Sequence, residues 1–199
     1  MNIKKESLLL ESEDIYLRTL SAQDITDEYI NGLNDPEVNR YLVNVRRQPQ
    51  TKETVGEFVN VNAAAPSSVL FGVFVKNEKD SFIGTIRVSD IDFFHYTGII
   101  GICLFAKRAW KKGFALQAVQ LVKDYLFKTV GLHYVEAGVN SKNTNSIKLF
   151  IGAGFREWYR IRDKFRHDDH FEEAIFFATI NPSFDMSRLK QRLQKDQHE

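Results

Sequence analysis

The chain has 199 residues, and 43% of them are hydrophobic, including 16 Phe, which is enough for one sizeable core. Its 27 basic and 26 acidic residues leave a formal charge of +1, which argues against a nucleic-acid-binding surface while leaving room for local basic patches. Cys103 is the single cysteine, which excludes an internal disulfide framework, and the Leu8-Leu9-Leu10 run is too short for a signal-peptide core or a membrane span. A cytoplasmic protein without membrane insertion is the expectation.

Ile15 to Leu20 reads as a short first strand. Ser21 is then the expected N-cap of a helix over Ala22 to Leu33, where Ile25, Tyr29 and Leu33 form one apolar face, and Asn34-Asp35-Pro36 ends it. Thr51 opens a second helix in which Val55, Phe58, Val59 and Asn62 follow helical spacing, with a break at Pro66. Val69 to Lys76 and Phe82 to Ser89 are rich in Val, Ile and Phe and flank a polar connection, the pattern of a hairpin. Ile99 to Phe105 is almost wholly apolar and is predicted to lie centrally with both faces covered.

Phe114 to Thr129 follows as a helix with Ala118, Leu121, Val122 and Tyr125 on one side, ending at Gly131. Tyr134 to Val139 reads as a strand, Asn143 to Gly152 as a helix and Gly154 as its stop. Phe155 to Arg166 and Phe171 to Ile180 form a last antiparallel pair around the tip His167-Asp168-Asp169-His170, which reads as a solvated turn more readily than as a metal site. No metal is expected. Residues 1–182 thus form one domain, and the charged tail over 183–199 is either helical or frayed. The order β-α-α-β-β-β-α-β-α-β-β implies an α/β (α+β) fold with a mixed sheet and helices on both faces.

Lys107, Arg108, Lys111 and Lys112 cluster immediately before Gly113-Phe114-Ala115 and a long helix. The first turn of a helix has unpaired N–H donors and partial positive charge, and Gly113 and Ala115 let a ligand approach the backbone, so a pyrophosphate fits there. A solvated basic loop is the plainer alternative. Neither a GKS/GKT phosphate loop nor a GxGxxG turn is present.

AWKKGFALQA resembles the W-x-K-G-[YF]-[AG]-T-E-A pyrophosphate loop of the GCN5-related N-acetyltransferase (GNAT) superfamily, in the branch of the ribosomal-protein alanine acetyltransferases. NSKNTNSIKLFIGAGF resembles that branch's second motif, N-x-x-[SA]-[IV]-x-L-[YF]-x-x-x-GF, and the order of elements matches from Ile15 to Ile180. The resemblance implies a mostly antiparallel sheet of six to seven strands with a splayed central pair, and acetyl-coenzyme A (acetyl-CoA) in the cleft between them.

By the same resemblance the cofactor would lie against Cys103, Leu104 and Phe105, whose backbone would pair with the pantetheine arm, and against Trp110, Lys111, Lys112, Gly113, Phe114 and Ala115 at the pyrophosphate. Asn143 and Phe150 would complete this set; Asn143, Ser146 and Phe150 fall at helical spacing on one face. Many relatives carry Tyr where Phe150 stands, so Ser146 or water would protonate the departing thiolate. Leu116 and Gln117 replace a usual Thr-Glu, a departure that bears on packing.

An amine must be neutral to attack a thioester, and a lysine-like amine of pKa ~10 is mostly protonated at pH 7, so a proton must be removed. The Glu common among relatives at the start of the central strand is Ile99 here. Asp92 and His95, with Asp90, stand just upstream, and His95 with Asp92 is the expected catalytic pair, although a plain surface histidine accounts for the sequence as well. The IDFFH string resembles an acetyltransferase of a nucleotide-linked amino sugar, and GLNDPEVNRYL followed by VRRQPQT resembles acetyltransferases of bacterial surface-polysaccharide sugars. A nucleotide-linked 4-amino sugar of surface-polysaccharide synthesis is therefore the favoured acceptor, with Arg40, Arg46, Arg47, Arg87 and Asp90 as its expected partners. A protein N-terminal acetyltransferase and a non-catalytic acyl-CoA-binding module are the alternatives. Direct transfer is preferred to an acyl-cysteine at the apolar-flanked Cys103, and a homodimer is compatible with the sequence.

Overall fold

A computed structural model describes residues 3, 5, 8–79 and 81–189. The last ten residues of the tail, and with them most of the choice between helical and frayed, lie outside the described residues. In chain order the elements are β1 (Leu9–Glu11), β2 (Ile15–Thr19), α1 (Asp27–Asn34), α2 (Pro36–Asn39), α3 (Lys52–Ala64), β3 (Val69–Val75), β4 (Phe82–Asp92), β5 (Thr97–Leu104), α4 (Phe114–Tyr125), β6 (Tyr134–Asn140), α5 (Thr144–Gly152), β7 (Arg156–His167) and β8 (His170–Ile180). The described strands form one eight-stranded sheet in the order β1-β2-β3-β4-β5-β6-β8-β7, one more than the upper end of the six to seven expected. The added strand is β1, three residues pairing with β2.

Every neighbouring pair is antiparallel except β5 with β6. That parallel pair covers only Thr97↔Tyr134, Gly98↔Val135 and Ile99↔Glu136, whereas β4 follows β5 to Leu104 and β8 follows β6 to Asn140. The two middle strands therefore part after Ile99 and Glu136. This opening organises the site.

Strand alternation assigns the two faces. On one face Arg87 lies under α3, its Nε donating to Asn62 Oδ1 at 2.7 Å, and Thr85 bonds to Tyr29 of α1. On the other, Phe71 meets Tyr125 of α4 edge-on at 6.2 Å, and Phe177 stacks with Phe150 of α5 at 6.4 Å. Helices thus cover both faces, although β5 itself is covered less than its apolar run suggested: Ile99 is 37% exposed and Gly101 is exposed.

The helix starts follow their capping residues. Thr51 caps α3 as expected, with Thr54 N–H donating to Thr51 Oγ1 at 3.3 Å and Thr51 N–H to Thr54 Oγ1 at 2.9 Å. The first predicted helix is broken, because Ser21 opens only a single 3₁₀ turn over Ala22–Asp24 and Thr26 caps α1, accepting from Tyr29 N–H at 3.2 Å. Asp35 ends α1 and then caps α2, accepting from Glu37 N–H at 2.9 Å with Pro36 at the first helical position. The helix from Phe114 is regular to Tyr125 and widens into a π turn over Leu126–Val130 before Gly131. Gln117, in place of the usual Glu, ties this helix to the β1–β2 turn: it accepts from Ser12 Oγ at 2.7 Å and donates to Asp14 at 2.7 Å.

The Phe105 side chain belongs to the core, so the expected pairing with the cofactor rests on its backbone alone. Its ring lies 4.8 Å from Tyr29 and 4.9 Å from Phe82, and it is 2% exposed. Phe105→Ala should cost about 3–5 kcal/mol, the usual loss for deleting a buried ring, read as a lowered urea midpoint at unchanged m-value.

Candidate active site

The parted strands open into a cleft of about 1380 Å³ on the α1/α3 face, larger in volume than a drug-sized pocket. Gly101, Ile102, Cys103 and Leu104 line one side of the opening, and Gly138, Val139 and Asn140 the other. At Gly101 an added Cβ would meet nothing within 4 Å, so this glycine keeps the floor of the cleft flat. Burial pushes the Cys103 thiol up to about 12, and a thiol kept protonated in this way makes a poor nucleophile.

At one end stands the turn into α4. Gly113 has φ 83°, a left-handed conformation that a side chain would strain, and it accepts the first helical bond from Gln117 N–H at 3.2 Å. Trp110, Lys111 and Ala115 line the cleft, Lys112 is exposed beside the turn, and the Phe114 ring is buried beneath it. Trp110 is locked by its indole N–H donating to Leu104 O at 2.9 Å, so part of that carbonyl's capacity is already taken. Lys107 pairs with Asp35 (2.7 Å) and Glu37 (3.2 Å), and Arg108 with Glu28, which leaves Lys111 and Lys112 as the lysines at the turn.

The first turn of α5 forms a second wall. Asn143 is its N-cap, accepting from Ser146 N–H at 3.1 Å, and Ser146 and Phe150 also line the cleft. Phe150 is 3% exposed and packs edge-on against Phe155, so most of its ring belongs to the core.

The loop between α2 and α3 arches over the opening. Tyr41 Oη donates to Lys142 O at 3.1 Å, and Arg46 Nη2 lies 2.7 Å from Asp168 Oδ1 at the β7–β8 turn. Arg46 therefore clasps the loop to the hairpin, which corrects its expected role with a substrate phosphate. Arg47 is exposed and outside the lining. Arg40 and Arg87 do line the cleft. Arg87 is fixed from behind, since Asn62 Oδ1, which receives Arg87 Nε, also accepts from Ser68 Oγ at 2.6 Å, and the guanidinium sits 5.7 Å over the Phe58 ring.

His95 and Asp92 lie at the opposite end of β5. Asp92 ends β4 and His95 lies in the β4–β5 turn, and at about 3.3 Å per residue Thr97 stands roughly 20 Å along the strand from Cys103. Asp92 Oδ1 accepts from Phe94 N–H (2.6 Å) and His95 N–H (2.9 Å), the bonds of a turn-forming aspartate. Asp90 has φ 52° at the register shift between β4 and β5. The geometry thus separates all three from the cleft, because this end of β5 is where the strands are still paired.

In their place the structure brings His167, His170 and Glu172 into the lining. A two-residue turn pairs His167 with His170 across the β7–β8 ladder, their rings 5.5 Å apart, and Glu172 follows two residues on along the same face. That pairing was the available signal in the sequence, hidden by reading the whole tip as solvated. Among the described residues no group of three or more His, Cys, Asp or Glu is arranged to hold a metal.

Residues 14–156 match the family model described as Acetyltransferase (GNAT) domain. The chain belongs to the GNAT acetyltransferase family. It is 32% identical over 177 residues to the uncharacterized N-acetyltransferase p20 of Bacillus licheniformis, covering 88% of this chain and 97% of that protein. It is 34% identical over 113 residues to the probable N-acetyltransferase YjcK of Bacillus subtilis, covering 56% of this chain and 61% of the relative. The fold is shared with spermidine N-acetyltransferase from Vibrio cholerae in complex with CoA and spermine (TM-score 0.75, 20% identity, 85% of this chain and 97% of that one). It is also shared with the ribosomal-protein-S5-alanine acetyltransferase of Vibrio fischeri (TM-score 0.71, 22% identity, 90% of this chain and 100% of that one).

The GNAT turn at Gly113 fits a pyrophosphate on this chain's own geometry: left-handed glycine, open space where its Cβ would be, and exposed lysines beside the first turn of a twelve-residue helix. Gly113→Val imposes a left-handed cost of roughly 1–2 kcal/mol and crowds that space. Calorimetry should show coenzyme A binding weakened about tenfold or more, since ~1.4 kcal/mol is a factor of ten, with the helical circular-dichroism signal retained.

Proposed function

We propose that this GNAT enzyme transfers acetyl from acetyl-CoA directly to a small primary amine that also carries negative charge, a nucleotide-linked amino sugar being the favoured class. The observation that carries the reading is Arg87, whose guanidinium is held on the cleft floor by Asn62 and Phe58. Among the described residues its Nη groups make no protein hydrogen bond, so they are free to grip a phosphate or carboxylate in bidentate fashion. The lining carries Arg40, Arg87, Lys111 and Lys142 against the carboxylates of Glu37 and Glu172, and Glu37 is already paired with Lys107. A polycation such as spermine, which the Vibrio cholerae relative is named with, would meet repulsion from Arg40 and Arg87 here.

Acetyl-CoA supplies an activated acetyl group, and the protein's work is to bind, orient and manage protons. Backbone groups along Gly101–Leu104 would hold the pantetheine arm as an added strand holds to a sheet edge, with Lys111, Lys112 and the Gly113 turn at the pyrophosphate. The flat floor at Gly101 leaves the amine a path to the carbonyl carbon. Amide N–H groups near Cys103 would stabilise the developing oxyanion. Ser146 is the hydroxyl on the first turn of α5 that would give a proton to the departing sulfur, because Phe150 has none to give. The single cysteine accords with a reducing compartment such as the cytoplasm.

Thiol release from acetyl-CoA, measured against nucleotide amino sugars, phosphorylated amines, polyamines and N-terminal peptides, tests the reading. Turnover confined to polyamines or peptides rejects it. Arg87→Ala should raise KM for the anionic amine roughly 10- to 100-fold, as expected for losing a charged hydrogen-bonding partner worth about 1.5–3 kcal/mol, and leave KM for acetyl-CoA within about twofold.

A further inference from the structure

The hairpin wall of the cleft contains an imidazole backed by a buried carboxylate, which none of the site's other features uses. Glu172 is 8% exposed although it carries charge. Its Oε2 accepts from Asn140 Nδ2 at 2.5 Å, and Asn140 is itself held by the Lys142 backbone N–H donating to its Oδ1 at 2.8 Å. The remaining oxygen, Oε1, lies 3.4 Å from His170 Nε2. Beside them the ring nitrogens of His167 are buried without a hydrogen-bond partner; Nδ1 is 3.3 Å from Asp168 Oδ2 but out of bonding geometry. A buried, unpartnered polar group is costly to leave so, and its presence in a cleft lining marks where a polar ligand completes the bonding.

The geometry points to His170 as the group that accepts the proton of the acceptor amine, with Glu172 as the positioning residue that holds its imidazole. The inference rests on the N-acetyltransferase reading above. With Nε2–H of the neutral imidazole facing Glu172, the ammonium of the acceptor takes the place of the exposed Asp169 carboxylate and passes one proton to Nδ1, and the free amine attacks the acetyl carbonyl. A C–N bond forms and the C–S bond breaks; the second amine proton leaves with the thiol, and His170 returns its proton to water. Net, one ammonium and one thioester give one amide, one thiol and one proton.

Asp169 faces Nδ1 at 3.0 Å and Glu172 faces Nε2, and these two partners, Asp169 first, raise the pKa of His170 above the ordinary histidine value. For Glu172, burial opposes the charge, but Asn140 and then His170 more than offset it and hold the carboxyl below its usual range, so the group is ionised at neutral pH. Asp169 is 94% exposed, and such a surface pair is weak; on the other side the Glu172 carboxylate is 8% exposed while the His170 side chain is 55% exposed, so the imidazole reaches solvent and the cleft from a buried anchor. The other charged or titratable groups around the wall are His167 and Asp168 on the hairpin, Arg46 from the α2–α3 loop and Lys142 before α5. A proton acceptor with raised pKa is better matched to an amine donor.

The test is the pH dependence of kcat/KM with a UDP-linked 4-amino sugar and, in parallel, spermidine, together with NMR titration of the His170 ring. Wild type should show an acidic limb above the ordinary histidine pKa, coincident with the ring titration. His170→Gln should lower kcat about 10²- to 10⁴-fold and remove that limb, while coenzyme A affinity by calorimetry stays within twofold. Glu172→Gln should move both limb and ring titration to lower pH, and Glu172→Asp should restore much of the shift; a purely structural role would move neither. His95→Gln should leave rate and limb as in wild type. The inference is overturned if His170→Gln keeps the rate and the limb, or if the limb is lost in His95→Gln instead. If wild type acetylates neither amine, it is the acceptor reading that fails, and an unchanged ring titration in Glu172→Gln then removes the dyad as well.

Discussion

The short register of the one parallel pair governs this molecule. β5 and β6 share three residues, then each continues with its outer neighbour alone. A sheet cannot leave a row of backbone groups facing apolar protein without partners, so the opening has to be lined with groups that tolerate polar company. The lining is of that kind: glycines on the floor, two helix starts at the rim and a polar hairpin opposite. The position of the cleft follows from where those strands separate.

Two long-range polar contacts turn the opening into a bounded site. Arg46 to Asp168 and Tyr41 to Lys142 join segments more than a hundred residues apart and hold the α2–α3 loop over the cleft. Behind the floor, Asn62 is 2% exposed and accepts from both Ser68 and Arg87, which fixes the Arg87 guanidinium from behind while it lines the cleft. A buried amide spent on orienting one exposed guanidinium is a cost that a core residue would not carry for packing alone.

Much of the scaffold was legible in the sequence because its signals are local. Thr51, Asn143 and Gly113 each act on the backbone within a few residues, and β3, β4 and β6 show in their runs of Val, Ile and Phe. Elements that depend on a distant partner were not legible: β1 is three residues long and exists through its pairing with β2. Arg46 looked like a phosphate ligand because its carboxylate partner lies 122 residues on. His95 is close in sequence to the central strand, but a strand has two ends, and the parting of β5 from β6 opens the cleft at the other one. Asp168, Asp169 and His170 at the charged tip do face solvent, as such a tip usually does, whereas the ring nitrogens of His167 are buried in the cleft lining.

Hydrogen–deuterium exchange with and without coenzyme A tests the central claim most directly. The account predicts slowed exchange confined to the amides of Gly101–Leu104, the turn from Lys111 into the start of α4, and the first turn of α5. Unchanged exchange there under saturating coenzyme A, or protection centred instead on the surface between α4 and the segment after β8, would contradict it.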